Sequence, residues 1–523
     1  MATSLLETFL TRARQTPGWP VLDFEQQRFT AGQLAGRAAA FASALQRRGL
    51  KPGERVALFL ENSPAFVIAY LGTWYAGGVV VLVNTQYRQV ELGHILSDAG
   101  ARACVTGAAG AAELAPLKAQ LPTLEWLVTV EPLSAPVPWP GVDFDTLLTE
   151  GDASAGLPLP RGEQLAVLGY TSGTTGRSKG AMLLHRNLLA NVRAVTEAWR
   201  WTEQDRLLLT LPLFHTHGLM VGLHGTLYSG GSVDLRRRFA APEVLSALQE
   251  DASLTMFFGV PTMYGRLVEE ARRGGVRPRA LRLLVSGSAP LSPQLFHDVE
   301  ETFGQRILER YGMTETLMNT TNPYEGERRP GTVGMPYPGQ EARVVDVRTR
   351  QPLPDGETGE IEVRGPHVFA GYWQRPDATA ESFDAEGWFR TGDLGLRDSD
   401  GYFQITGRAR ELIISGGFNV YPREVEEVLA THPGVAEVAV LGLPDPDFGE
   451  QVVAVVVPRA PAPAAQALAD FCKDRLASFK KPRRVEFVDA LPRNALGKVQ
   501  KHLLRERLQP HASPPNVQKP TEP

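Results

Sequence analysis

Apolar positions along this chain switch repeatedly between two periods. Phe29 to Gly49 (FTAGQLAGRAAAFASALQRRG) keeps apolar and small residues on a helical stripe, whereas RVALFL, VVVLV and ARACVTG are short apolar runs. This alternation over about residues 20–160 predicts α/β layering around a mainly parallel sheet. After the Pro-rich connector APVPWPG it resumes with LAVLGY, LLLTLPLF, TMFFGVP and LRLLVSGSAP. At the N-terminus, Thr3 and Ser4 precede LLETFL, and Glu7 stands where a secretory signal would be basic or apolar. A capped first helix is the expectation there.

The texture changes beyond about residue 330. ARVVDV, GEIEVRG and GYFQITGR alternate with Gly and Asp turns and predict a small β subdomain. From about Glu411 a compact αβ unit follows: ELIISGGFNVYP, a helix from Arg423, then VAEVAVLGLPD, QVVAVVVP and RRVEFVD. The polar, Pro-rich tail from His511 has too few apolar residues to order itself. Phe66 to Val83 runs eighteen residues without a charge. Gly77-Gly78 divide it and its second half is β-branched, so a buried helix followed by a buried strand is expected, with no stable membrane insertion.

Composition narrows the function classes. At 523 residues the chain needs more than one core. Its 54 basic and 58 acidic residues leave a net charge of −4, without the basic excess of a nucleic-acid binder. Two cysteines, Cys104 and Cys472, are too few for a disulfide framework and point to a cytoplasmic setting.

The sharpest chemical signal is YTSGTTGRSKG, Tyr170–Gly180, directly after the strand-like LAVLG. Its glycines and its serine and threonine hydroxyls offer many N–H and O–H donors to phosphate oxygens, and Lys179 adds positive charge. The spacing is not that of a Walker A loop. Gly176-Arg-Ser178-Lys-Gly180 also fits the G-x-S-x-G elbow of α/β-hydrolases. That elbow needs a strand running straight into its first glycine, yet Thr171 to Thr175 intervene, so a Ser178 hydrolase is a remote alternative. His215 and His217 in LPLFHTHG lack a third ligand at matching spacing and are discounted as a metal pair. Arg236–Arg238 reads as a solvated edge.

With YGMTET (Tyr311–Thr316), TGD (Thr391–Asp393), GRARE (Gly407–Glu411) and PRNALGK (Pro492–Lys498), the loop resembles the adenylate-forming superfamily over roughly residues 20–510. Within it the chain looks most like the malonyl-CoA synthetases. The resemblance implies a large N-terminal ATP- and acid-binding domain, 1–409, of layered parallel sheets with helices and a small β subdomain. A small mobile α+β domain, 410–510, and a disordered tail, 511–523, would follow. It implies that Thr171, Ser172, Gly173, Thr174, Thr175, Gly176 and Lys179 close over the ATP phosphates. Ser288, Ala289, Pro290, Tyr311 and Gly312 would line the adenine slot. Thr314 would touch the α-phosphate and Glu315 would help hold Mg²⁺. Asp393 would bind the ribose hydroxyls, with Arg408 assisting. His215 and Met313 would border the acyl pocket, with the His215 ring gating it. Lys498 would bridge carboxylate and α-phosphate, Arg410 would be the hinge, and Gly416 and Gly417 would line the coenzyme A tunnel.

Electrostatics supports that assignment: a carboxylate and a triphosphate must meet, so Mg²⁺ and a mobile lysine must neutralise developing charge. The implied reaction makes an acyl-adenylate from a small carboxylic acid and ATP, then a thioester with coenzyme A, in a monomer or homodimer. Malonate or methylmalonate is the expected acid, and a medium- or long-chain fatty acid the alternative. A diacid leaves a second carboxylate in the pocket, which requires a cation, and Arg282 is the candidate.

Overall fold

Ser4 opens the first helix, Leu5–Gln15, its hydroxyl accepting from the Glu7 N–H, and Thr30 with Gln33 forms a capping box on Ala31–Arg47. The uncharged stretch becomes the helix Pro64–Tyr75 and the strand Val79–Leu82, parted by Gly77 at φ +80°. Both are buried, and no described helix is long and apolar enough to cross a membrane. The computed structural model describes residues 2–509 except 155, 172–177, 416–417, 474 and 495–496.

The chain divides into two compact units. Residues 1–391 and 395–405 form the first, and 392–394 with the chain from Thr406 the second. The boundary therefore falls between Ile405 and Thr406, ahead of the expected 409/410, and the tripeptide carrying Asp393 groups with the second unit.

Within the first unit, a seven-stranded sheet of the described residues runs in the order Gly141–Asp143, Trp126–Thr129, Ala101–Thr106, Arg55–Phe59, Val79–Leu82, Leu165–Thr171, Lys179–Leu184. All neighbours are parallel except the last pair, which is antiparallel and sets Thr171 opposite Lys179. A nine-stranded sheet has Arg206–Leu209, Ser232–Leu235, Met256–Gly259 and Leu283–Ser286 parallel at its centre, and continues through Leu308–Met313 to Leu317–Thr321. Central strands covered on both faces read as unbroken apolar runs, which is why VVVLV and the start of LLLTLPLF were legible. LLLTLPLF is only half a strand. It ends at Leu209, Pro212 cannot donate to a ladder, and the chain enters a wide π-helical turn, His217–Leu223.

In the second unit, Val435–Asp445 and Gly449–Pro458 pair antiparallel. Val440, Val452, Ala454 and Val456 face one cluster with the helix Pro422–Ala430; Leu441, Leu443, Val453 and Val455 face another with Leu504. The period-two alternation thus feeds two apolar layers from one sheet.

Candidate functional site

Three segments distant in sequence are brought together at the C-terminal end of the strand Leu165–Thr171 in the first unit. Thr171 Oγ1 donates to Glu315 Oε1 at 3.1 Å, and Tyr372 OH donates to the same oxygen at 3.0 Å. Glu315 is only 5% exposed. A Cβ on Gly169 would lie 2.6 Å from Thr314 Cγ2, so this strand must be bare for Thr314 to approach it. Lys179 Nζ sits 5.1 Å from the Tyr372 ring centre. Burial and the Glu315 carboxylate push the Tyr372 phenol up, which keeps it a donor. Ser172, Gly173, Thr174, Thr175 and Gly176 lie outside the described residues, as do Gly416 and Gly417.

A second group forms where Leu283–Ser286 ends beside Leu308–Met313. Ser288 takes φ +69°, a strained conformation for a residue with a side chain. Its hydroxyl lies 3.3 Å from His217 Nδ1 and accepts from Arg310 Nη2 at 3.4 Å. Ala289 is half-buried and Pro290 exposed beyond it. Tyr311, Gly312 and Met313 follow Arg310 on the strand; a Cβ on Gly312 would lie 1.9 Å from Leu317 O, so only glycine fits. The His215 ring centre is 4.6 Å from that of Phe214, and enclosure pushes the imidazole down to about 4, so it is neutral at pH 7.

Arg282 is not available to a ligand. Its guanidinium forks onto Asp205 at 2.7 and 3.0 Å, donates to Trp199 O at 2.8 Å and stacks 5.1 Å from the Tyr324 ring. Asp205 is 3% exposed at its side chain, so the pair is a structural ion pair and the expectation that Arg282 serves the acid is corrected. The arginine that sequence reasoning passed over is Arg310. It is 2% exposed, has no carboxylate within ion-pair distance among the described residues, and its Nε has no hydrogen-bond partner. Burial pushes it down from 12.5 to about 10, so it is still a cation at neutral pH. A Cβ on Gly287 would lie 2.6 Å from its guanidinium carbon, which explains the glycine there.

In the second unit, Asp393 is 3% exposed and pairs with Arg408 Nε at 3.0 Å. Arg410 lies in the short turn Ala409–Glu411, and burial with the nearby Arg408 cation pushes it down. Lys498 is presented by a tight turn: its N–H donates to Asn494 Oδ1 and its carbonyl accepts from Asn494 N, both at 2.9 Å, while Gly497 takes φ +75°. Burial and then the Arg408 cation push the Lys498 amine down to about 8, opposed by Asp393 and Glu411. Glu411 in turn is held by Lys501 at 3.3 Å, and Lys501 by Glu426 at 2.7 Å.

Residues 9–373 match the model of the AMP-binding enzymes, and residues 424–498 match their C-terminal domain. The chain belongs to the AMP-binding enzyme family. Among its relatives, a sulfoacetate–CoA ligase of Cupriavidus necator is 38% identical over 95% of this chain and 96% of its own. A malonate–CoA ligase of Arabidopsis thaliana is 35% identical over 88% and 79%. ATP-bound MatB from Rhodopseudomonas palustris superposes with a TM-score of 0.89 at 39% identity, covering 97% of this chain and 99% of that one.

This AMP-binding enzyme is an acid–thiol ligase, and ATP and coenzyme A use is expected of such enzymes. The Ser178 hydrolase alternative falls with it. Ser178 directly precedes the strand Lys179–Leu184, whereas a nucleophile elbow must follow one.

Proposed function

We propose that this AMP-binding enzyme activates a short acid bearing a second anionic group, malonate or a methyl-substituted malonate, and transfers it to coenzyme A. The observation that carries this reading is Arg310, a buried cation with an unpartnered Nε on the strand that leads into Tyr311, Gly312 and Met313. An apolar fatty-acyl tunnel gains nothing from such a charge, while a distal carboxylate would pair with it. The names of two relatives, a malonate–CoA and a sulfoacetate–CoA ligase, both specify acids with a second acidic group.

In the first half-reaction a carboxylate oxygen of the acid attacks the α-phosphorus of ATP and pyrophosphate leaves. In the second the coenzyme A sulfur attacks the acyl carbon and AMP leaves. Thr171, Lys179 and the segment Ser172–Gly176 would hold the phosphates. Ser288–Pro290, Tyr311 and Gly312 would flank the adenine, and Asp393 with Arg408 would take the ribose hydroxyls. Lys498, as an ammonium, would neutralise charge between carboxylate and α-phosphate. His215 and Met313 would border the acyl group, and Gly416 and Gly417 the thiol. The Glu315 carboxylate and Thr171 hydroxyl, 3.1 Å apart, are the hard oxygen donors that suit Mg²⁺, which when bound would neutralise phosphate charge.

The test is pyrophosphate release over malonate, methylmalonate, sulfoacetate, butyrate, octanoate and palmitate. Malonate or methylmalonate should exceed octanoate and palmitate in kcat/KM by at least about tenfold, the worth of one charge-assisted contact. Octanoate or palmitate turning over faster than malonate would replace this reading with the fatty-acyl one.

A further inference from the structure

The helix Gln89–Ala99 carries His94 and Asp98 four residues apart, hence on one face. That face meets both stems of the donor-rich segment. Tyr170 OH donates to Asp98 Oδ2 at 2.8 Å, on the incoming stem. His94 Nε2 lies 2.8 Å from Ser178 O on the returning stem. A carbonyl only accepts, so the ring must carry its proton on Nε2. The stems themselves pair antiparallel, Tyr170 opposite Gly180 and Thr171 opposite Lys179.

The helix is itself anchored. Arg375 Nη2 holds Asp98 Oδ1 at 2.9 Å, and Trp373 Nε1 donates to Asp98 O at 3.0 Å. Arg55 donates to Ala99 O and Gly100 O at 2.5 and 2.9 Å and stacks on Trp373. Burial, and then the Asp98 carboxylate, push the Tyr170 phenol up, so its hydroxyl stays a donor.

We propose that His94 and Asp98 are positioning residues for the nucleotide: by gripping Ser178 and Tyr170 they set where Thr171 and Lys179 stand to meet the ATP phosphates. Neither touches substrate. The proposal rests on the reading of Tyr170–Gly180 as the phosphate-holding segment.

The experiment measures KM for ATP, acid and coenzyme A, pyrophosphate inhibition and Tm in His94→Leu, His94→Gln, Tyr170→Phe and Lys179→Ala. Losing one hydrogen bond should raise KM for ATP and weaken pyrophosphate inhibition about 2- to 12-fold in His94→Leu and Tyr170→Phe. KM for the acid and coenzyme A should stay unchanged. The His94→Gln amide can still donate to Ser178 O and should restore most of the loss. If Lys179→Ala leaves KM for ATP unchanged, the phosphate reading itself fails. If Lys179→Ala raises it but His94→Leu and Tyr170→Phe do not, only the positioning proposal fails. A fall in Tm with equal losses toward all three substrates, unrescued by Gln, overturns it as a structural role.

Discussion

Replacing Arg310 by Met separates a ligand-binding cation from a structural one, because the two roles predict opposite signs. Burial pushes this guanidinium from 12.5 to about 10, and at about 1.4 kcal/mol per pH unit that corresponds to about 3 kcal/mol. The depressed group is a base, so the unfolded chain holds its proton more tightly. The cost therefore weighs on the ligand-free fold at every pH below about 10 and is relieved only above it. Arg310→Met keeps length without charge, and should stabilise the ligand-free enzyme by about 1–3 kcal/mol, a Tm rise of a few degrees. The same change should lower malonate kcat/KM about 10- to 150-fold and abolish thermal protection by malonate, while butyrate turnover changes by less than about threefold. Arg282→Met is the control: it strands the buried Asp205 carboxylate, so it should cost about 3–5 kcal/mol of stability and affect all acids alike. Scanning calorimetry with and without malonate, and kinetics on both acids, read the result. If Arg310→Met lowers Tm by several degrees, or malonate and butyrate fall together, Arg310 supports the fold and the diacid argument is refuted.

Other outcomes follow from the second unit and from the buried imidazoles. Lys498 must be an ammonium to neutralise the reacting anions, so adenylation should fall as pH rises through about 8. Lys498→Ala should abolish adenylation and its pH limb yet spare thioester formation from supplied acyl-adenylate; equal loss of both half-reactions would refute this. Arg410→Pro should do the reverse, sparing adenylation and impairing thioester formation, if a turn at Arg410 carries the change between half-reactions. His185, His224 and His367 are pushed down to about 3 and His215 to about 4, mainly by burial. Each stays neutral when folded but takes a proton near 6.5 when unfolded, so stability should fall as pH drops below about 6.5. Each contributes about 1.4 kcal/mol per pH unit. Denaturant midpoints at pH 7, 6 and 5 check this, and equal midpoints would contradict it.

Most elements were legible because burial on both faces leaves a clear mark. QVVAVVVP reads as a strand without reference to its neighbours, and the break at Gly77-Gly78 separates helix from strand in an otherwise uniform run. Local pattern carries no information about distant partners. Pro20–Phe24 pairs with its neighbour Gln27–Thr30 but also, in parallel, with Ser232–Leu235, so this N-terminal pair joins a sheet whose remaining strands lie far along the chain. The π-helical turn at His217–Leu223 was missed for a similar reason: its apolar residues look the same whether they continue a strand or wind into a helix.

The site divides the same way. Motifs drew attention to the loop stems, Glu315, Asp393 and Lys498, since each brings an unusual cluster of donors, charges and glycines. Arg282 was the candidate because a second carboxylate in the pocket requires a cation, and nothing local reveals that Asp205 will fold back onto it. Arg310 directly follows Glu309 in sequence. In a strand, neighbouring side chains point to opposite faces. Glu309 accepts from Leu291 N at 3.0 Å, while the Arg310 guanidinium donates to Ser288 Oγ at 3.4 Å. A charged dipeptide inside a buried strand is therefore a signal that could have been read. It sends one charge to each face, and each must find its own partner. Glu309 accepts from a backbone amide within the fold, and Arg310 is the cation we propose for the second anionic group of the acid.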